Sequence, residues 1–135
     1  RTVNDTGGAQ AQSLISHLAP IAIDEIYTSD FTRCVQTVTP IGESRGLAVS
    51  KVPSLNEATF ESDPERSITF ANALKQDERN ILICSHNPVI PTMLRGILNT
   101  KLKNKDLIKL EPGDAWLVHR VKGEIVALDY LSISF

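Results

Sequence analysis

The spacing of apolar and polar residues, together with capping residues, predicts four helices in the first hundred positions. In the first helix, expected over Ala9–Leu18, apolar residues recur three, four and seven positions apart. This helix follows a loop, "RTVNDTGG", and stops before Pro20. The other three helices are expected over about 31–45, 63–75 and 89–98.

Residues with known preferences for helix ends set the bounds of the second and third helices. Ser29 or Asp30 is expected to cap the second helix, and Gly46 to end it. Asp63 and Pro64 are typical of the cap and the first turn of a helix, and therefore predict the start of the third.

Short apolar runs between these helices predict strands. The first is Glu25–Thr28, and the second, "LAVSKVP", is expected near a sheet edge because Pro53 ends it. The third lies in "NILICSH", where the continuous apolar run Ile81–Cys84 predicts burial on both faces, as in a parallel sheet. The polar stretch "SLNEATFESDP" is expected to be irregular.

The C-terminal part predicts a short helix within "KLKNKDLIKLEPGD" and then a β-hairpin. The hairpin strands are "AWLVHRV" and "EIVALDYLSIS", joined at Lys122-Gly123. Helices alternating with strands predict an α/β fold with three layers, α/β/α, a mainly parallel sheet and a C-terminal β-hairpin. We expect residues 1–135 to form a single domain. In such a fold, ligands bind beyond the carboxyl ends of the strands.

The composition of the chain limits the classes of molecule that it is expected to bind. The formal net charge of −2 gives no general attraction to nucleic acid or to an anionic membrane, so anion binding requires a local cluster. No apolar run approaches the roughly 20 residues that span a bilayer. Two cysteines, Cys34 and Cys84, suit reduced core positions in a cytoplasmic protein. Neither a nucleotide P-loop nor a G-x-G-x-x-G motif is present.

Two predicted strand ends carry side chains suited to phosphate. Arg33 falls in the first turn of a helix, where backbone N–H groups already favour an anion and a guanidinium adds a planar pair of donors. His86 and Asn87 follow the third strand and lead into the next helix, so both are expected in the same crevice. The residues alone also allow a surface Arg33 paired with Asp30, and a structural His86.

Glu57 is a third candidate. A carboxyl group above an Arg/His phosphate pocket is suited to protonate a leaving group, although loop carboxylates are more often simply solvated. His17, on a helix, and His119, in the hairpin, are expected to be non-catalytic. No spacing of acidic residues forms a metal motif.

Taken together, three motifs resemble the histidine phosphatase superfamily, the phosphoglycerate-mutase-like phosphatases. They are "TSDFTRCVQT", "LNE" and "ILICSHNPVI", and the stretch from Arg1 to Ala11 is similar to the family's helix entry. Within this family, the three motifs most resemble those of the phosphatase domain that follows a MutT-like NUDIX domain in some bacteria. "SHNP" is also similar to the motif of phosphohistidine phosphatases.

The resemblance implies a metal-independent phosphatase that forms a phosphohistidine intermediate on a small phosphorylated metabolite, with a nucleotide as one candidate. Arg33 looks like the second phosphate-binding arginine, His86 like the second histidine and Glu57 like the acid. It implies neither a cofactor nor a metal, since arginine and histidine supply the positive charge. A phosphohistidine-protein phosphatase and a non-catalytic phosphate-binding domain are the alternatives.

The family's nucleophile motif, Arg-His-Gly or Arg-His-Ala, does not occur in this sequence. The chain starts at Arg1 without a methionine and without a strand before its first loop. We therefore expect the first strand and the nucleophilic histidine to precede Arg1 in the parent chain, together with a NUDIX domain if the resemblance extends that far.

Overall fold

The computed structural model describes residues 5–86, 89–98 and 115–131 of the chain. The elements, in chain order, are α1 (Asp5–Leu18), β1 (Glu25–Thr28), α2 (Thr32–Arg45), β2 (Val49–Lys51), a 3₁₀ turn (Pro53–Leu55), α3 (Glu57–Ser62), α4 (Glu65–Leu74), β3 (Ile81–Cys84), α5 (Val89–Ile97), β4 (Ala115–Val121) and β5 (Glu124–Leu131). Within these ranges, none of the helices has the length and apolar character needed to cross a membrane.

The first three strands form a parallel sheet in the order β2-β1-β3. In its register, Thr28 at the end of β1 lies opposite Lys51 on one side and Cys84 on the other. The carboxyl ends of β1 and β3 therefore lie side by side at the same end of the sheet. The parallel sheet predicted from the sequence is confirmed.

Helices cover both faces of this sheet, because successive side chains of a strand point to opposite faces. On one face, α1 and α2 pack against β1 through a buried cluster of Leu14, Leu18, Ile26, Val38 and Ile41. On the other face, α4 and α5 contribute Ala71, Val89 and Met93 to a cluster that includes Leu55, with Tyr27 and Ile83 of the sheet packed against it. The three layers predicted from the sequence are thus present.

The hairpin of β4 and β5 forms a separate two-stranded antiparallel sheet. Its turn residues, Lys122 and Gly123, have φ angles of 50° and 81°, which suit the tight turns that join such strands. Ile125 and Leu128 pack on Leu94 and Leu98, so the hairpin lies against α5. The predicted hairpin is confirmed, whereas the short helix expected in "KLKNKDLIKLEPGD" lies outside the described residues.

Helix starts differ from the prediction. Helix α1 already includes Asp5, so the end of the expected loop "RTVNDTGG" is helical despite its two glycines. Tertiary packing of an apolar helix face commonly outweighs such local preferences. Neither Ser29 nor Asp30 caps α2, whose cap position is Phe31. Both side chains bind elsewhere: the Ser29 hydroxyl contacts His86, and the Asp30 carboxylate accepts a hydrogen bond from Asn56.

The stretch expected to be irregular, "SLNEATFESDP", is instead ordered. After the 3₁₀ turn, the Oδ1 atom of Asn56 accepts a hydrogen bond from the backbone N–H of Thr59 at 2.7 Å and caps α3. Leu55 anchors the stretch because its side chain is fully buried. Glu57 is consequently the first residue of a short helix rather than part of a loop.

Strand β3 is half-buried, not fully buried as its apolar run predicted. The reason is its position: among the described residues β1 is the one strand paired with β3, which leaves β3 at the edge of the sheet. The predicted edge position of β2 is confirmed. Helix α4 begins at Glu65, with Pro64 rather than Asp63 in the cap position.

Candidate active site

The site lies where β1 and β3 end side by side. The backbone N–H of Ser29 donates to the carbonyl of Cys84 at 3.0 Å, which continues the strand pairing one residue beyond β1. His86 follows two residues after β3 and is almost fully buried, with 4% of its surface exposed. The strand ends thus bring Ser29 and His86 together from opposite halves of the sequence.

Arg33 binds His86 from the first turn of α2. Its Nη2 atom lies 2.9 Å from the Nδ1 atom of His86. A guanidinium group only donates hydrogen bonds, so Nδ1 must be the acceptor. The imidazole is therefore neutral in this arrangement and carries its proton on Nε2.

The Ser29 hydroxyl oxygen accepts a hydrogen bond from this Nε2–H group. This Oγ atom lies 2.9 Å from Nε2 of His86 and also accepts the backbone N–H of Phe31 at 3.3 Å. Ser29 is fully buried, so the hydrogen bond is shielded from water and sets the orientation of the ring. Nδ1 consequently points away from Ser29, toward Arg33.

Phe31 supports the same two side chains. Its ring meets the His86 ring edge-on, with centroids 4.9 Å apart and an interplanar angle of 62°. The Arg33 guanidinium carbon lies 6.0 Å from the centre of the Phe31 ring, near the limit of a cation–π contact. Phe31 thus limits the freedom of both the arginine and the histidine.

Glu57 completes a cluster of three from the start of α3. Its Oε1 atom is 3.6 Å from Nη2 of Arg33 and 3.9 Å from Nδ1 of His86. The Arg33 and Glu57 side chains are 37% and 36% exposed, so their ion pair contributes little to stability. Both side chains can therefore turn toward a ligand that enters from solvent, above the buried imidazole.

Two thiols lie beneath the cluster. The Sγ atom of Cys34 is 4.0 Å from Nε2 of His86, and both cysteines are free. A hydrogen bond with Cys84 lowers the pKa of Cys34 to about 5, with His86 and Arg33 adding to the effect and burial opposing it. The same hydrogen bond, together with burial, raises the pKa of Cys84. The interaction thus favours ionisation of Cys34 and disfavours ionisation of Cys84.

The structure brings Arg33, His86 and Glu57 together, as the sequence predicted for a shared crevice. Asn87 lies outside the described residues. The two remaining histidines lie elsewhere: His17 is bonded to Ser13 within α1, and His119 to Asp129 in the hairpin. In the part of the chain that the structure describes, no group of histidine, cysteine and acidic residues is arranged to hold a metal ion.

Sequence reasoning missed the roles of Ser29, Phe31 and Cys34 around the imidazole. The available signal was the pairing of strand ends, since Ser29 directly follows one predicted strand just as Ser85 follows the other. The expected role of Ser29 as a helix cap did not include this pairing of strand ends. The contacts of Phe31 and Cys34 carry no pattern of their own, because they depend on how α2 leaves the sheet.

Comparisons with known proteins point to one family. The sequence profile described as the histidine phosphatase superfamily (branch 1) matches residues 2–69, half of the chain. The chain is also 25% identical over 132 residues to an 8-oxo-(d)GTP phosphatase of Mycolicibacterium smegmatis. That alignment covers 98% of this chain, which spans 41% of the length of the relative.

Solved structures share the fold. An alpha-ribazole phosphatase from Shigella flexneri superposes with a TM-score of 0.75 at 17% identity, over 96% of this chain and 83% of the other. A mycobacterial glucosyl-3-phosphoglycerate phosphatase gives a TM-score of 0.72 at 17% identity, over 99% and 89%. At these identities the likeness establishes the fold alone.

Replacing Ser29 tests the hydrogen bond beneath the imidazole. We expect Ser29→Ala to lower the free energy of unfolding by about 1–3 kcal/mol, because the Nε2–H group of His86 is left buried without its partner. Denaturant unfolding measures the loss. Ser44→Ala, which removes a hydroxyl bonded within α2, is the control and should cost less. Equal losses in the two variants would contradict the role of the Ser29 hydroxyl as the buried partner of His86.

The lowered pKa of the Cys34 thiol predicts that its ionisation produces a titration step in the ultraviolet absorbance of the folded protein. With its pKa lowered to about 5, we expect Cys34 to be ionised at neutral pH. Its folded pKa lies below the usual thiol value of roughly 8.5, so the ionised form stabilises the fold above that value, and the contribution is lost as pH falls through about 5.

We expect Cys34→Ser to abolish this absorbance step and Cys84→Ala to move it to higher pH, since the hydrogen bond between the two thiols is then missing. A step that stays in place in Cys84→Ala would show that Cys84 does not stabilise the thiolate.

Proposed function

Because this chain belongs to the histidine phosphatase superfamily (branch 1), we propose that it is a metal-independent phosphatase acting through a phosphohistidine intermediate. Its substrate is a small phosphorylated metabolite, with a nucleotide as the leading candidate. The observation that carries the proposal is the cluster of Arg33, His86 and Glu57 at the end of the parallel sheet. The cluster combines donors for a phosphoryl group with a carboxyl group beside them.

Arg33 and His86 bind the phosphoryl group. The Arg33 fork donates to phosphoryl oxygens in the two-point manner that suits phosphate. Once the ligand draws Arg33 away from Nδ1, that nitrogen also faces the phosphoryl group and serves it as a donor in its protonated form. These donors stabilise the charge that develops on the equatorial oxygens during transfer.

Glu57 moves the proton. In the first step a nucleophilic imidazole nitrogen attacks phosphorus, the bond to the leaving oxygen breaks, and the Glu57 carboxyl gives that oxygen its proton. In the second step water attacks the phosphohistidine, and the Glu57 carboxylate takes the proton of the water. The products are the alcohol, inorganic phosphate and the regenerated histidine.

We place the nucleophile upstream of Arg1 in the parent chain, since the sequence holds no Arg-His-Gly or Arg-His-Ala tripeptide. We also propose that a NUDIX domain precedes this domain. The likeness to an 8-oxo-(d)GTP phosphatase more than twice as long supports that arrangement. The two free cysteines agree with a cytoplasmic location.

The small-molecule assignment draws support from the surroundings of the cluster. Helix α3 starts beside Arg33 and His86, so the carboxyl group of Glu57 stands next to the phosphate donors. The names of the relatives also refer to small phosphate esters. A phosphohistidine-protein phosphatase, which needs an open and shallow pocket, is the second candidate.

Phosphate release by the parent protein, extended to its natural N-terminus, tests the proposal. We expect hydrolysis of p-nitrophenyl phosphate and of nucleotides in the presence of EDTA. We expect Arg33→Ala and His86→Ala each to lower kcat by about 10²–10³, as for a removed oxyanion donor. Each variant removes a donor that acts on the transferring group, so kcat falls more than KM rises.

Four outcomes would contradict parts of this assignment. Loss of activity on chelation would exclude the metal-independent mechanism, and wild-type rates in either variant would remove that residue from the site. Phosphate binding without turnover would favour the non-catalytic alternative. Faster hydrolysis of a phosphohistidine peptide than of any small ester would favour the protein phosphatase. Arg45→Lys, on the far end of α2, is the control for a changed arginine.

A further inference from the structure

The segment that carries Glu57 is anchored to the sheet just before that residue. The backbone N–H of Val52 donates to the carbonyl of Thr28 at 2.8 Å, and the Ser85 hydroxyl donates to the carbonyl of Leu55 at 2.5 Å. The Leu55 side chain is fully buried. These contacts hold the chain as far as Leu55, which leaves one residue, Asn56, between the anchor and the carboxyl group.

Asn56 uses both ends of its side-chain amide. Its Oδ1 atom accepts the backbone N–H of Thr59 at 2.7 Å and so starts α3. Its Nδ2 atom donates to Oδ1 of Asp30 at 3.2 Å. Asp30 belongs to the loop between β1 and α2, three residues before Arg33. One side chain therefore joins the start of α3 to the loop that leads to the phosphate-binding arginine.

Helix α3 needs such a link. It has six residues and none of them is fully buried, so half-buried contacts such as that of Phe60 with the cluster around Leu55 are its own packing. Glu57 is its first residue, and the direction of its side chain follows the backbone at Asn56. A misplacement of about 1 Å in a catalytic group can cost on the order of 10² in rate.

We propose that Asn56 is a positioning residue that holds the Glu57 carboxyl over Arg33 and His86 through its hydrogen bond to Asp30. This inference rests on the proposed function, in which Glu57 protonates the leaving group. It adds a residue that touches neither substrate nor phosphate. It also gives Asp30 a role, as the acceptor that orients the amide.

Charge explains why an amide suits this place. The Asn56 amide faces the carboxylate of Asp30, precedes Glu57 in the chain, and contributes no charge of its own. Asn56→Asp keeps an oxygen for the helix cap. It also replaces the donor with a carboxylate facing Asp30, so the two groups repel. The variant thus breaks the link while leaving the cap in place.

The test compares two substrates of the parent protein. An alkyl phosphate such as glycerol phosphate needs a proton on its leaving oxygen, whereas the nitrophenolate of p-nitrophenyl phosphate leaves without one. We expect Asn56→Asp to lower kcat/KM for the alkyl ester about tenfold more than for the aryl ester, because kcat/KM reports the step in which the leaving group departs and a displaced Glu57 protonates that group poorly. Glu57→Gln should show the same selectivity with a larger loss.

Exchanging the residues at positions 56 and 30 tests whether the lost activity can be restored. Combining Asn56→Asp with Asp30→Asn restores one amide facing one carboxylate with the total charge unchanged, and should recover most of the alkyl phosphate rate. Asn72→Asp, the same chemical change at an exposed position on α4, is the matched control. Denaturant unfolding of each variant measures the accompanying change in stability.

The outcomes separate the inference from the function on which it rests. A parallel fall of kcat/KM for both substrates in Asn56→Asp, or no recovery in the exchanged pair, would overturn the positioning role. Selective loss in Glu57→Gln with wild-type behaviour in Asn56→Asp would overturn it too, while keeping Glu57 as the acid. No phosphate release by the wild-type parent would remove the proposed function, and the inference with it.

Discussion

The buried imidazole of His86 is the constraint on which the rest of the site depends. A buried ring with two nitrogens needs a partner for each, and it finds Ser29 on one side and Arg33 on the other. Ser29 reaches it because β1 and β3 pair in parallel and end together. Arg33 reaches it because α2 starts three residues beyond Ser29. Strand register and helix start are thus joined by one side chain.

Above this buried layer the site is open. The hydrogen bonds of His86 with Ser29 lie out of water, whereas Arg33 and Glu57 are about one third exposed. Buried hydrogen bonds thus hold the imidazole in place, and the exposed charged groups of Arg33 and Glu57 are accessible to a ligand that enters from solvent. Asn56 connects a further element to the site, since its side chain links α3 to the loop that leads to Arg33.

Local patterns predicted most of the fold. Strand β1 has its predicted bounds, α2 and α5 come within a residue of theirs, and the Lys122-Gly123 turn lies where the dipeptide indicated. The misses have physical reasons. Asn56 caps a helix in a stretch whose polarity indicated a loop, and Ser29 left its expected cap because His86 needed an acceptor. Ile81–Cys84 is half-buried because burial depends on neighbouring strands rather than on the apolar run itself.

The sequence by itself determined the order of strands and helices and marked Arg33, Glu57 and His86 as candidates, because periodicity, caps and strand ends are local properties. Only the tertiary structure decided that these three side chains meet, that Arg33 sets the tautomer of His86, and that the thiols of Cys34 and Cys84 interact. Those facts depend on distances between residues that are more than fifty positions apart in two of the contacts. Such distances follow from strand pairing and packing, which no short stretch of sequence encodes.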